Sequence, residues 1–531
     1  MHVTNPFLPG FHPDPSICRV GDDYYVATST FEWYPGVLIY HSTDLVHWRL
    51  VARPLDRAEL LDMRGVPDSC GVWAPCLTHA DGQFWLCYTN TRRYDGNFKD
   101  TPNYLTTCAS IDGQWTDPVY LNASGFDPSL FHADDGRKWL TNMVWDHRAD
   151  RSFFRGIALQ QYDPTEKTLE GDARLIFEGS SIGLTEGPHL YRFGDYYYLV
   201  TAEGGTSYGH AVTVARSTQI EGPYDVDPAG PVITSRHDPD WPLQRAGHGD
   251  LVQTPKGELY MVHLCSRRSA GQRISVLGRE AAIQRMVFTD DGWIRTVDGD
   301  PRPRLRTDVP KLSSSPSARP PEHDDFDSPT LNPVFQWLRT PDFAAIASLT
   351  ARPGFLRLYG RESPGSWFTQ GLVARRQQHH RALAETRVEF EPEHFQQLAG
   401  LACYYNASKF HYLYVSRDDE RGKHLAIMSC AADPSLAVSY PLAEASVPVA
   451  PDRAIRMRAT IDDAELQFAW AYDDDGWQDV GPPLDMTALS DEAGLGEHTH
   501  FTGNFIAMMC SDVAGTGRHA DFDYFRYRGA D

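Results

Sequence analysis

Residues 193–202 read FGDYYYLVTA, a glycine in a short polar turn followed by an aromatic-rich run of strand length. A polar glycine turn between two such runs is the signal of a β-hairpin. The pattern recurs: Gly21 opens GDDYYVATS, Gly82 lies in DGQFWLCYT, Gly136 in DGRKWLTNM and Gly257 in KGELYMVHL. Taken in chain order, Gly21, Gly82, Gly136, Gly194 and Gly257 follow one another at a nearly constant step. A step of this length accommodates four strands with generous loops, so five units predict a five-bladed β-propeller.

Seven to nine positions before each glycine stands a conspicuous residue: Asp14 in DPSICRV, Trp73 in WAPCLTH, Asp127 in DPSLFHA, Glu186 in EGPHLYR and His248 in HGDLVQT. The first strand of every propeller blade lines the central channel, so equivalent positions converge on the axis. Three carboxylates, an indole and an imidazole then meet there. Carboxylates crowded into a sugar-sized pocket raise one another's pKa, and one of them holds a proton near neutral pH. Glycoside hydrolysis requires this state, with a protonated carboxylic acid for the leaving oxygen and an ionised partner for water or the sugar. Two plainer readings compete. A single Asp-Pro-Ser is ordinarily a turn whose Asp caps local N–H groups, and a non-catalytic sugar-binding propeller would use the carboxylates only as hydrogen-bond acceptors.

After about residue 300 the character changes, and residues 301–325, PRPRLRTDVPKLSSSPSARPPEHDD, read as a linker rich in Pro, Ser and charge. Short alternating runs follow, among them GFLRLYG, TRVEFEPE, LAGLACYYN, KFHYLYVSR, AIRMRATID and LQFAWAYD. They predict a β-sandwich, with the closing DFDYFRYRG as an edge or pairing strand. The expected organisation is a propeller over 1–305, a linker over 306–323 and a sandwich over 324–531, all-β throughout.

Of the 531 residues, 49 are Lys or Arg and 71 Asp or Glu, a net charge of −22 that repels phosphate backbones and anionic lipid. No nucleic-acid or membrane partner is expected. Hydrophobic residues make up 41% and aromatics 12%, too many for a disordered chain, and no apolar run reaches bilayer length. The nine cysteines are scattered with no CxxC, so neither a disulfide framework nor a zinc site is indicated. The opening MHVTNPFLPGFHPDPS has no basic or apolar leader region. A reducing, cytoplasmic setting is the expectation.

The segments NPFLPGFHPDPS, GVWAPCL, FDPSLFHADDGRKWL, LTEGPHLY, GHGDLVQT, LGRE and HFTGNF…DFDYFRY together resemble glycoside hydrolase family 43, in particular its two-domain β-xylosidases, over nearly the whole chain. The resemblance implies an inverting enzyme with Asp14 as general base on water and Glu186 as general acid. Asp127 raises the acid's pKa and orients it. Inversion requires the base and acid carboxyls about 6.5–9.5 Å apart, leaving room for the water. Trp73, by its axial phase, and Phe31 and Trp145, by the resemblance, are candidate flat walls for a sugar ring.

Arg279 in LGRE matches an arginine that hydrogen-bonds the terminal sugar. A sandwich loop near HTHFTGNF is expected to send Phe501 to the pocket mouth, with Phe505 as its rival. A pocket closed in this way accepts only a chain end. No cofactor is required by this chemistry. The resemblance allows Ca2+ or another divalent cation near His248, although one imidazole is a thin site for an ion that prefers six to eight oxygens. The expected reaction is release of xylose from the non-reducing end of xylobiose and xylooligosaccharides, with an α-L-arabinofuranosidase side activity because the two sugars present similar geometry. The alternatives are an arabinan-acting hydrolase and a retaining, fructan-acting one with carboxyls about 5–5.5 Å apart. A homo-oligomer, dimer or tetramer, is also implied.

Overall fold

The computed structural model describes residues 1–269, 271–310, 320–431, 438–439, 446–473, 475–493 and 501–530. The middle of the stretch expected as a linker, residues 311–319, lies outside them, as do residues 498–500 of HTHFTGNF. Five antiparallel sheets follow one another from Ser16 to Thr296, as the glycine spacing predicts. Blade I comprises Ser16–Val20, Asp23–Thr28, Leu38–Ser42 and Arg49–Ala52; blade II comprises Gly71–Ala80, Gln83–Thr91, Asn103–Cys108 and Val119–Asn122. Blade III runs through Ser129–His132, Lys138–Trp145, Phe154–Asp163 and Thr168–Phe177. Blade IV has Glu186–Phe193, Tyr196–Glu203, Ala211–Ser217 and Asp225–Val226, with Ile233–Thr234 added beside the third strand. Blade V has Leu243–Gln253, Leu259–Arg267, Glu280–Phe288 and Ile294–Thr296.

The first strands touch in a ring, I against II, II against III, III against IV, IV against V, and V back against I. Second strands lie between neighbouring blades and are covered on both faces. Gln83–Thr91 and Leu259–Arg267 are accordingly buried along almost their whole length and read as continuous apolar runs rather than alternating ones. The ring is closed by the N-terminal segment on blade V. His2–Thr4 pairs with Arg306–Asp308, Asn5 exchanges side-chain hydrogen bonds with the Ile283 backbone at 2.8 and 2.9 Å, and Leu8 bridges Ala281. The head of the Pro/Ser-rich stretch thus takes part in this closure.

Two further sheets face each other in the remainder of the chain. One contains Leu356–Tyr359, His519–Gly529, Arg381–Glu389, Ile455–Asp462, Glu465–Ala471 and Gln478–Asp485 in that spatial order. The closing strand is therefore interior, paired with Leu356–Tyr359 on one side and Arg381–Glu389 on the other, rather than at an edge. The other sheet contains Gly422–Ala431, Lys409–Asp418, Gln397–Asn406, Phe505–Asp512, Gly371–Arg376 and Phe335–Leu338. It continues into the propeller, because Trp33–Tyr34 from blade I pairs with Phe335–Leu338.

This continuation explains a run that alternation cannot. All eight residues of Phe505–Asp512 are buried. Ile506, Met508 and Cys510 point into the sandwich core, whereas Phe505, Ala507 and Met509 join Phe11, Phe31 and Trp33 of the propeller in a shared apolar cluster. Phe505 stacks on Trp33 with ring centres 3.7 Å apart and planes at 18°. Charged groups seal the rim of this seam. Arg245 of blade V is paired with Asp491 at 2.6 Å and with Glu492, and Tyr208 donates to Glu492 at 2.9 Å. Among the described residues no helix is long and apolar enough to cross a membrane.

Candidate active site

The channel-lining strands all run in the same direction, from the end carrying Asp14, Trp73, Asp127, Glu186 and His248 toward a cavity of about 340 Å3 at the far end, lined by Ile17, Leu77, Leu130, Leu190 and Leu251 among others. Between the two ends a buried polar belt joins the blades. The Asp250 carboxylate accepts from the Ser16 hydroxyl and the Ile17 N–H, both at 2.8 Å, and the Ser16 oxygen in turn accepts from the Leu77 N–H at 3.0 Å. His189 lies 3.2 Å from the Ser129 hydroxyl and 3.8 Å from Asp250. Burial lowers the imidazole's pKa, but Asp250, Cys76 and Asp127 together outweigh it and push His189 up to about 9. The floor of the site is thus a fixed, charge-compensated plug.

Four of the expected site residues stand in left-handed backbone: Asp14 at φ 53°, Phe31 at 53°, Asp127 at 57° and His248 at 49°. Asp tolerates this region through its short polar side chain, but for Phe and His the conformation is uncommon and costs about 1–3 kcal/mol each. Asp14, Asp127 and His248 sit where the chain turns into or runs within a channel strand, whereas Phe31 lies in the loop after Asp23–Thr28 and bridges Val72.

Asp14 is 5% exposed. One carboxylate oxygen accepts from the Ser29 hydroxyl at 2.6 Å; the other accepts from Arg279 Nη1 at 3.1 Å and lies 3.5 Å from His248 Nδ1. Burial pushes this carboxyl up, but the Arg279 guanidinium, His248 and the Ser29 hydrogen bond together hold it below the ordinary carboxylate range. Ser29 also accepts from the Ala74 N–H at 2.8 Å, so the first two blades fix Asp14 jointly.

Asp127 has no hydrogen-bonded cation among the described residues. It is buried, and its carboxylate accepts the Gly187 N–H at 2.9 Å. Burial and the neighbouring Asp14 charge push it up to about 7. Glu186, adjacent in sequence to Gly187 and partly exposed, is pushed well above its ordinary value by burial, Asp127 and Asp14. Gly187 adopts φ 56°, and a Cβ there would lie 3.0 Å from His248 Nε2 and 3.2 Å from the Ala202 Cβ. Only glycine lets the acid's chain pass this close to the imidazole.

Arg279 is 4% exposed and reaches three groups from blade V: Asp14, the Thr206 hydroxyl at 2.9 Å and the Phe501 carbonyl oxygen at 3.3 Å. Its Nε–H has no hydrogen-bond partner among the described residues. The preceding Gly278, at φ 75°, would drive a Cβ to 2.4 Å from the Thr502 carbonyl oxygen, so the sandwich loop presses directly on the arginine's chain. Phe31, Trp73 and Phe501 gather around this end. Trp73 lies 5.8 Å from Phe31 and stands edge-on to Phe501 at 6.2 Å, while Phe31 and Phe501 flank the Arg279 guanidinium at 5.2 and 5.9 Å. Phe505 is buried in the seam instead. Trp145 stands farther out, linked to Trp73 through the rings of Phe154 and Phe126, and carries the Lys99 ammonium 4.1 Å from its ring centre.

His248 is the fifth axial residue. Burial lowers its imidazole to about 4, so it is neutral at physiological pH. Among the described residues no group of three or more His, Cys, Asp or Glu is arranged to hold a metal ion. The oxygens of Asp14, its nearest carboxylate, are already engaged by Ser29 and Arg279. This donor set does not fit calcium, which takes six to eight oxygens.

Sequence reasoning missed Ser29, Thr206, Gly187 and Lys99. The charge of Lys99 opposes the rise of Glu186, and burial lowers the lysine's own pKa. Ser29, immediately after a hairpin strand, and Thr206, in a glycine loop, carry no local signal. Lys99 lies in a polar loop that reads as solvent-exposed.

A propeller whose axis holds one depressed and two elevated carboxyls is the architecture of a glycosidase, and family models agree with the geometry. Residues 3–294 match the model described as glycosyl hydrolases family 43, and residues 323–528 match the β-xylosidase C-terminal concanavalin A-like domain. The chain belongs to glycosyl hydrolase family 43. It is 51% identical to a xylosidase/arabinosidase of Humicola insolens over 99% of this chain and 97% of that protein. Identity to a β-xylosidase of Bacillus subtilis is 48%, over 99% and 100% of the two chains. The crystal structure of a xylan β-1,4-xylosidase from Bacillus halodurans superposes with a TM-score of 0.96 at 49% identity, covering 99% of this chain and 100% of that one.

Proposed function

We propose that the protein is an exo-acting, inverting β-1,4-xylosidase that removes xylose from the non-reducing ends of xylobiose and xylooligosaccharides. The observation that supports this most directly is the division of the axial carboxyls into Asp14, held below the ordinary carboxylate range, and Asp127 and Glu186, both raised above it. In this reading Asp14 takes a proton from water as the water attacks the anomeric carbon, and Glu186 gives its proton to the departing glycosidic oxygen. After the bond breaks, Asp14 carries a proton and Glu186 is an anion, and exchange with solvent restores both. Asp127 acts on Glu186 by charge and by gripping the Gly187 N–H.

Phe31, Trp73 and Phe501 would hold the sugar's faces, and the Arg279 guanidinium would bind a hydroxyl. Trp145 and Lys99 would meet the leaving group. With the Phe501 loop across its mouth the pocket takes a chain end rather than a chain interior. No step is routed through a cation at His248, whose role here is to orient Asp14. The names of relatives at 51% and 48% identity support xylosides as substrates, and the first of them also supports an arabinosidase side activity. Action in the cytoplasm, and as a dimer or tetramer, belongs to the same proposal.

Product analysis tests the reading. Xylobiose should yield α-xylose first by NMR, and long xylan should shorten only from its ends. Release of β-xylose, or rapid internal cleavage, would overturn it.

The pH dependence follows from the same charges. Activity needs Asp14 ionised, so it falls as pH drops through the depressed pKa of that group. It needs Glu186 protonated, so it falls as pH rises through the elevated one. Burial and the neighbouring carboxylates raise both Asp127 and Glu186, so the alkaline limb belongs to the pair. Asp127→Asn removes the negative neighbour while Asn tolerates the left-handed backbone. The alkaline limb of kcat/KM should therefore move to lower pH with the acid limb nearly unchanged; an alkaline limb that stays in place would exclude Asp127 from tuning the acid.

A further inference from the structure

We propose that Arg339, which lies in the sandwich half of the chain, is a positioning residue for the sugar pocket, acting by fixing the turn at residues 63–69 from which two pocket walls are hung. The inference rests on the reading of Trp73 and Phe501 as those walls. Arg339 directly follows the strand Phe335–Leu338 that pairs with Trp33–Tyr34, and it is 1% exposed in left-handed backbone, φ 60°. Its hydrogen bonds among the described residues run to the propeller. Its backbone N–H donates to the Glu32 carbonyl oxygen at 3.0 Å, and its carbonyl oxygen accepts from the Met63 N–H at 3.2 Å. Its Nε–H donates to the Val66 carbonyl oxygen and its Nη2 to the Asp68 carboxylate, both at 2.6 Å.

Burying a guanidinium is unfavourable unless it is paired, and a Leu or Met would fill the same space without that penalty. Packing alone therefore does not account for an arginine here. Its planar fork holds a backbone oxygen and a side-chain oxygen of one turn simultaneously, which a single ammonium cannot do. Glu32 stands beside it with a carboxyl that burial pushes up to about 8, and Asp68 is the carboxylate that the guanidinium grips directly.

Ser69 carries the consequence to the pocket. It is fully buried, also in left-handed backbone at φ 60°, and it sits one residue beyond Asp68. Its carbonyl oxygen accepts from the Trp73 indole N–H at 3.0 Å, and its hydroxyl oxygen accepts from the Phe501 N–H at 3.1 Å. One short turn therefore sets both rings of the edge-to-face pair, and Arg339 sets the turn. The second half of the chain thus reaches the sugar twice, directly through Phe501 and indirectly through the propeller's own Trp73.

The experiment compares full-length Asp68→Asn, Arg339→Lys and Ser69→Ala with the parent, each alone and with Ser69→Ala combined with either of the others. KM for xylobiose and Ki for free xylose should rise about tenfold, with kcat changed by less than about threefold, because wall placement governs ground-state binding while the acid and base are undisturbed. The combined variants should be no worse than the poorer single one, since all act through Ser69. Hydrogen exchange in peptides covering 63–73 and 501–505 should quicken, with blade III unaffected. A folded Asp68→Asn or Arg339→Lys protein with parental KM, Ki and exchange would overturn the proposal, as would fully additive losses. Should Arg339→Lys not fold, Asp68→Asn decides, because it weakens the same grip while leaving the guanidinium's bond to Val66. If the parent fails to turn over xylobiose, the proposed function falls, but the exchange data still decide the part played by Arg339.

Discussion

Glu186→Gln is expected to lower kcat/KM on xylobiose by about 10³-fold, about 4 kcal/mol of transition-state stabilisation, while costing less than about tenfold on an aryl β-xyloside with a strongly acidic phenol. The reason is the leaving group. A sugar alkoxide cannot depart without a proton, whereas an acidic phenolate departs unaided. Burial, Asp127 and Asp14 raise the Glu186 carboxyl well above its ordinary value, which favours the protonated form that an acid needs. Gln matches its shape but has no acidic proton to give. A kinetic series across leaving groups is the measurement, and equal losses across the series would remove Glu186 from the role of acid.

Asp14→Asn should lose about 10³–10⁴-fold on every substrate regardless of leaving group, because the attacking water must be deprotonated whichever bond then breaks. Asn is the informative replacement. It tolerates the left-handed backbone at φ 53°, and its amide oxygen can still accept from Arg279 or Ser29. Ala would add strain and take from the buried guanidinium its carboxylate acceptor. His248 is neutral in either protein, since burial already lowers it to about 4, so Arg279 is the one cation in contact with Asp14 that loses its charge partner. Retained affinity for xylose with turnover lost on all leaving groups is the expected pattern. A loss confined to poor leaving groups would reassign Asp14.

The propeller and its converging carboxylates were legible because both are periodic. A turn glycine recurring at a nearly constant interval, and an acid at constant phase before three of the five, survive without any knowledge of contacts. Trp73 shared that phase, and Phe31, Trp145, Arg279 and Phe501 came from resemblance. What stayed hidden depends on partners far away along the chain. Trp33–Tyr34 is too short to read as a strand until Phe335–Leu338 lies beside it. DFDYFRYRG reads as an edge or pairing strand, and only the second holds, because its alternation shows one buried face and says nothing of neighbours on either side. Arg339 in QWLRTP carries no sign of burial, since charge predicts exposure and the pairing with Asp68 spans the seam. The carboxyl shifts belong in the same class: sequence phase brings three acids together, but which is held down depends on Arg279 hydrogen-bonding Asp14 while acting on Asp127 only through its charge.

The strand pairing across the seam also bears on ancestry and engineering. Modular enzymes are commonly diversified by exchanging whole cassettes, with each cassette maturing independently. Here one sheet is written partly in each half, so a transplanted C-terminal cassette must bring a register that matches Trp33–Tyr34, an aromatic to stack on Trp33, and a basic residue for Asp68. Shuffling that ignores these three points would leave an unsatisfied hydrogen-bonding edge at the seam, so the two halves must be exchanged together as a matched pair.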